Sequence, residues 1–251
     1  MLCIFYGRLT ATGLLRTSNV GVKVLSTEMH RQVPGEISVE TVIDESNKKR
    51  CITRFRRMPS IRIKPGEIPR KQAAVLVPLC IVDNRISLLY TLRSSSMTKN
   101  AGQVSFPGGM MDPTDQDLIH TALRETQEEL GIDKENIDVW CTGNFIGTWD
   151  KKMGVMPVLG YIGEVDVTKL KKNPDEVEEA FAVSLQDLCE PQNARYTKFI
   201  RGYCMPVYIA RGHKIWGLTA IITHLVLSAL LQERYTSDPG LLFRLFTKVK
   251  L

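Results

Sequence analysis

The 251-residue sequence has no C-x-x-C pair among its six cysteines and no apolar run long enough to cross a bilayer. Its first 27 residues contain no aspartate or glutamate. Each absence excludes something. Cys3, Cys51, Cys80, Cys141, Cys189 and Cys204 are scattered without zinc-ligand spacing, and a chain of this size needs no disulfide framework. They are expected to be reduced and mostly buried. The longest apolar run, residues 218–231, has 14 residues and includes His224. That is too short for a spanning helix and reads as a helix packed in the core. Internal repeats and low-complexity linkers are missing as well.

The acid-free start carries Arg8, Arg16 and Lys23 among apolar residues, Ser and Thr. This is the composition of a mitochondrial transit peptide, expected over residues 1–30. A secretory signal fits less well, because no basic residue precedes the first apolar run. The net charge of +6 is unevenly placed. Residues 1–72 hold 14 Lys and Arg against 6 Asp and Glu, and the remainder holds 19 against 21. The basic balance therefore belongs to the N-terminal part, which argues against a fold built to grip nucleic acid. With 43% hydrophobic and 24% charged residues, the chain suits one globular domain with appendages. We divide it into a basic helical extension over 31–70, a domain over 71–235 and a tail over 236–251.

Local patterns outline that domain. Ser38 can cap a helix running to about residue 55, whose basic end suits a helix C-terminus. The runs AAVLVPLCIV and ISLLYTL, joined by Asp83, Asn84 and Arg85, read as a hairpin. Short strands are expected at 104–106, 137–148, 155–164 and 176–183. Three more, at 196–200, 205–209 and 214–216, complete the sheet. Trp216 is expected in the core, and a helix over 219–234 closes the domain. A mixed sheet with helices on both faces is an α/β/α sandwich.

The segment RETQEELG, residues 124–131, places three carboxylates on a predicted helix. At about 100° per residue, with Arg124 at zero, Glu128, Glu125 and Glu129 fall near 40°, 100° and 140°. Ile119, Ala122, Leu123, Thr126 and Leu130 form a separate apolar face, so the acidic side is off the core. No lysine follows within the helix to relieve the repulsion between the glutamates, and a hard divalent cation would supply that relief. Upstream, FPGG at 106–109 allows a tight loop of close approach. Gly131 ends the helix.

These residues resemble the Nudix hydrolases, whose motif reads G-x5-E-x7-R-E-U-x-E-E-x-G-U with U aliphatic. Arg124, Glu125, Glu128, Glu129, Gly131 and Ile132 match their places, and Thr126 stands at the first aliphatic position. Counted from Gly109, the first acidic position is Asp115, one residue further from Arg124 than the motif has it, and no role is carried onto it. The pattern LLYTLRSSSMTKNAGQVSFPGG is similar to the signature of the coenzyme A diphosphatase branch. Thr91, Arg93, Ser94, Gly102, Phe106, Pro107, Gly108 and Gly109 align without a gap, while Thr98 replaces the second arginine, with Lys99 beside it.

The resemblance covers roughly residues 71–231. It implies metal-dependent hydrolysis of the diphosphate of coenzyme A or acyl-CoA, with Mg2+ or Mn2+. Glu125 and Glu129 are implied as principal metal ligands and Glu128 as a further or water-mediated one. Arg124 orients a glutamate. Gly108 and Gly109 offer backbone to the metal and substrate, and Arg93 and Lys99 bind substrate phosphates. Glu125 or Glu176 is a candidate base, with an ordinary surface charge the alternative for Glu176, Glu178 and Glu179. His120 is read as a bystander. Two other readings stay open: the same chemistry on ADP-ribose or NADH, and a binding module that keeps the fold without turnover.

Overall fold

A computed structural model describes residues 25–28, 35–64, 66–97, 100–148, 150, 152–198, 204–231 and 235. Lys99, the tail over 236–251 and most of the expected transit segment lie outside the described residues. The elements begin with β1 (Leu25–Glu28), α1 (Val39–Ile43), α2 (Glu45–Arg57), β2 (Lys71–Val82) and β3 (Arg85–Arg93). Next come β4 (Val104–Ser105), β5 (Gly108–Met110), α3 (Leu118–Leu130), β6 (Asp138–Thr142), β7 (Ile146–Gly147) and β8 (Met153–Glu164). The chain continues through β9 (Val177–Ser184), α4 (Leu185–Cys189), β10 (Ala194–Lys198), β11 (Cys204–Ala210), β12 (His213–Ile215) and α5 (Gly217–Leu231).

The expected hairpin forms between β2 and β3. Asp83 and Asn84 take φ of 49° and 58°, the two left-handed positions a tight hairpin turn demands. Asp and Asn tolerate that conformation better than other side-chain-bearing residues. The larger sheet runs β4-β3-β2-β8-β6, with β5 on β2, β7 on β8 and β9 on β3. β2 and β8 are parallel while β2–β3, β3–β9 and β6–β8 are antiparallel, so the sheet is mixed.

Alternation along β2 sends its side chains to two layers. Ala74, Leu76 and Cys80 pack with Leu118, Ala122 and Leu130 of α3. Val77 and Leu79 face the other way and join Cys51 and Phe55 of α2 and Leu225 of α5. Each fully buried aliphatic or aromatic side chain contributes about 1.5–3 kcal/mol relative to exposure. The result is the expected α/β/α sandwich. Val42, Cys51 and Phe55 share that second cluster, so the helical part of residues 31–70 packs against the sheet. Cys51, Cys80, Cys141, Cys189 and Cys204 are buried.

Four local expectations are corrected. The helix over 38–55 is two helices. Ser38 caps the first, and Asp44, with an extended ψ of 136°, caps the second by accepting from the N–H groups of Ser46 and Asn47. A short acid that satisfies two orphan donors favours a new N-terminus over a continuous helix. The strand over 137–148 breaks into β6 and β7; Gly143 lies at the break, against the Phe55 ring, where a Cβ would lie 2.9 Å from Cε1. The last three strands do not complete the large sheet. They form a separate antiparallel one of order β1-β10-β11-β12, whose Tyr208 and Ile215 bury against the α5 layer. Trp216, between β12 and α5, is 44% exposed rather than core, with Lys214 Nζ 5.7 Å from its ring centroid.

Candidate active site

Helix α3 starts at Asp117, whose carboxylate accepts the His120 N–H at 2.7 Å. It stops at Gly131, whose φ of 66° most residues resist. Leu118, Ala122, Thr126 and Leu130 turn toward the sheet and are buried. The three glutamates do share the opposite side, but their environments differ. The Glu128 side chain is 53% exposed and the Glu125 side chain 17%, whereas Glu129 is only 3% exposed. The acidic side is therefore not wholly off the core.

The glycine loop accounts for that burial. β5 carries Gly108 and Gly109 alongside β2, paired with Val75 and Ala74. Gly108 has φ of 149°, and a Cβ there would collide with the Ala74 carbonyl; a Cβ on Gly109 would collide with the Glu125 carboxylate. Only glycines let the strand approach this closely. The Gly108 N–H donates to the Glu129 carboxylate. Across the site, the loop before β9 brings in Glu176. Oxygens of Glu125, Glu129 and Glu176 all lie within 4.8 Å of one another.

Burial pushes the Glu129 carboxyl up to about 8; Arg93 opposes the rise, and Glu125 and Glu176 add to it. Glu129 Oε2 is buried without a hydrogen-bond partner. Glu125 is also raised, by burial first, with Arg124 pulling it back. An all-oxygen cluster with an orphaned buried oxygen and mutual repulsion fits a hard divalent cation, which takes carboxylates at short range. Ionised, the three carboxylates cannot crowd together unless a proton or a cation sits among them.

Arg124 does not face substrate space alone. Its Nε and one terminal nitrogen donate to Asp115 at 2.9 and 3.1 Å, and further donations reach Glu125 and Glu128, both at 3.0 Å. Asp115 is buried and also accepts from Thr121 Oγ1 and the Asp112 N–H, both at 2.9 Å, with His120 Nδ1 at 2.9 Å. The Arg124 fork holds the Asp115 carboxyl well below the usual carboxylate range. Asp115 in turn raises the Arg124 guanidinium. Charge-assisted forks of this kind fix geometry as well as add energy. Asp115, to which no role was carried, is the anchor of this network, and His120, read as a bystander, touches it. An aspartate nine residues before Arg124, just ahead of a helix cap, was the available signal.

Arg93 ends β3, next to Ser94, whose N–H donates to the Glu176 carbonyl at 2.8 Å. Its Nε is buried without a hydrogen-bond partner. Glu128 pairs with Arg124 and stays outside the carboxylate cluster. Glu178 is exposed, and Glu179 lies 3.3 Å from His213 Nε2.

A glycine-cradled cluster of three carboxylates on an α/β/α sandwich is a candidate site for a divalent cation, of the kind hydrolases use. Residues 70–203, over half of the chain, match the NUDIX domain, and the chain belongs to the Nudix hydrolase family. Its relatives include the mitochondrial coenzyme A diphosphatase NUDT8 of Mus musculus, 49% identical over 164 residues, which is 63% of this chain and 77% of that protein. The protein of the same name from Homo sapiens is 48% identical over 169 residues, 65% of this chain and 71% of its own length. Nudix hydrolase 3 of Caenorhabditis elegans is 33% identical over 184 residues, covering 66% of this chain and 75% of that one.

Proposed function

We propose that the protein hydrolyses the diphosphate of coenzyme A or its acyl thioesters, releasing 3′,5′-ADP and 4′-phosphopantetheine or its acyl form. The observation that carries the chemistry is the cluster of Glu125, Glu129 and Glu176 beneath the Gly108–Gly109 cradle. The substrate is supported by two relatives named as mitochondrial coenzyme A diphosphatases. The same names, with the acid-free N-terminus, support a mitochondrial location.

Glu125, Glu129 and Glu176 would hold Mg2+ or Mn2+, with Glu128 contributing through water. The bound ion would neutralise charge on the non-bridging oxygens and acidify a water. Arg124 fixes Glu125 from the side and is itself fixed by Asp115. Gly108 and Gly109 would offer backbone groups to the ion and the diphosphate. Arg93, and Lys99, would take substrate phosphate; the unpaired buried Nε of Arg93 supports its part. Glu125 or Glu176, whichever leaves a carboxylate oxygen free of the ion, would accept the proton of the attacking water.

Product analysis with coenzyme A and Mg2+ or Mn2+, on the wild type and Glu129→Gln, tests this. Formation of 3′,5′-ADP by the wild type alone is expected. Thr98 stands where the branch signature has a second arginine, so ADP-ribose, NADH and dephospho-coenzyme A run in parallel. Faster turnover of one of these would replace the substrate, and no turnover of any would favour a binding module.

A further inference from the structure

The third carboxylate of the cluster comes from a loop, and loops place side chains less reliably than helices do. What holds this one is visible at the end of α3. The last carbonyls of a helix have no partner within it. Gly131 turns the chain away, and the Glu129 carbonyl accepts instead from the Asn173 N–H at 2.9 Å. The Asn173 carbonyl then accepts from Glu176 N–H at 3.2 Å and Val177 N–H at 2.8 Å. Its side-chain Oδ1 accepts from the Asp175 N–H at 3.2 Å. One residue thus ties the backbone of Glu129 to the backbone of Glu176.

The loop is also held from its other side. The Ser94 N–H donates to the Glu176 carbonyl at 2.8 Å, and Ser96 Oγ donates to the Asp175 carbonyl at 3.4 Å. At the helix end, a Cβ on Gly131 would lie 2.8 Å from Lys171 Cβ, so the chain entering the loop is packed onto the glycine.

We propose that Asn173 is a positioning residue for the cation site: its side-chain turn and its bond to the Glu129 carbonyl set where Glu176 stands relative to Glu129. Asn173 touches neither substrate nor metal and acts only through Glu176. The inference rests on the metal reading of the cluster. Residues that orient ligands in this way typically change metal affinity by about 10–100-fold when lost.

The test uses the full chain and Mn2+ alone. Free Mn2+ is titrated by electron paramagnetic resonance for wild type, Asn173→Ala and Asn173→Ser, beside thermal unfolding without metal and, with coenzyme A, kcat and KM. Asn173→Ala removes the turn acceptor and leaves the backbone bonds; Ser retains a weaker acceptor. We expect Asn173→Ala to bind Mn2+ about tenfold or more weakly, at the low end of that range. Its kcat falls while KM for coenzyme A holds, its unfolding midpoint stays close to wild type, and Asn173→Ser recovers most of the affinity. Wild-type affinity in Asn173→Ala overturns the inference. Equal losses in both variants together with a lowered midpoint also overturn it, since they describe a structural role only. If the wild type binds no more Mn2+ than Glu129→Gln does, the metal reading itself fails and this inference goes with it.

Discussion

Replacing Glu129 by Gln isolates the electrostatics of the carboxylate cluster. Gln keeps the volume and an acceptor for the Gly108 N–H, but it cannot ionise. In the folded, metal-free protein, burial raises the Glu129 carboxyl from 4.5 to about 8. At about 1.4 kcal/mol per pKa unit, ionising it in the fold costs at most on the order of 5 kcal/mol more than in the unfolded chain. The folded state holds its proton more tightly, so stability is fully present below the unfolded value and is lost as pH rises from 4.5 toward about 8. The charges of neighbouring Glu125 and Glu176 add to the rise at Glu129, so the loss belongs to the cluster as a unit. Glu129→Gln is exempt from it. Urea unfolding in the presence of a chelator, at pH 5.5, 7 and 8.5, measures the difference between the two proteins. Groups outside the cluster, Asp115 included, cancel in that difference. The variant gains on the wild type as pH rises, by several kcal/mol across about this range. Saturating Mn2+ then restores the wild type at pH 8.5 and leaves the variant unchanged. A difference that stays constant with pH to within about 0.5 kcal/mol refutes the reasoning.

Three further outcomes follow from the same geometry. Gly109→Ala drives a methyl group into the Glu125 carboxylate; turnover should fall about 100-fold, as for an ångström-scale displacement at a reacting centre, and an unchanged kcat would show that Glu125 is dispensable. Asp115→Asn removes the buried charge that holds the Arg124 fork and should destabilise the protein by about 3–5 kcal/mol while also lowering kcat; a urea midpoint equal to wild type contradicts the anchoring role. Mn2+ affinity should rise with pH and level off above about 8, because the ion displaces the proton held at Glu129; calorimetry showing pH-independent affinity between pH 6 and 9 is the opposing result.

What could be read from the sequence divides by distance along the chain. The acidic arc on one helix, the Gly131 stop and the Asp83–Asn84 turn are local, so residue spacing and conformational preference were enough. The burial of Glu129 was not visible, because it is made by Gly108 and by the loop carrying Glu176, residues far from it in sequence. Asp115 was passed over because its spacing to Arg124 departs from the family motif by one residue. The bond itself depends on how the loop over residues 111–117 folds back, with Asp112 donating to Asp115. The separate sheet of β10, β11 and β12 was missed for a related reason. Alternation shows that a strand is half-buried, not which strand lies beside it. Trp216 was read as core on its residue type alone, and type is a poor guide for a large ring at the junction of two elements.

The two charge networks around α3 have different jobs, and their coupling explains the design of the site. Asp115 and Arg124 are matched: an acid lowered and a base raised, with every contact satisfied by the fold itself. That pair stays ionised throughout the range in which the protein works, so it is a fixed support. Glu125, Glu129 and Glu176 are mismatched, with more negative charge than Arg93 and Arg124 can offset at that depth. The fold tolerates the mismatch because Leu118, Ala122 and Leu130 hold α3 to the sheet without help from the cluster. A site left short of positive charge on a helix anchored elsewhere binds either a proton or a divalent cation. On the proposed metal reading, that competition near neutral pH, rather than folding, decides whether the cluster can receive a diphosphate.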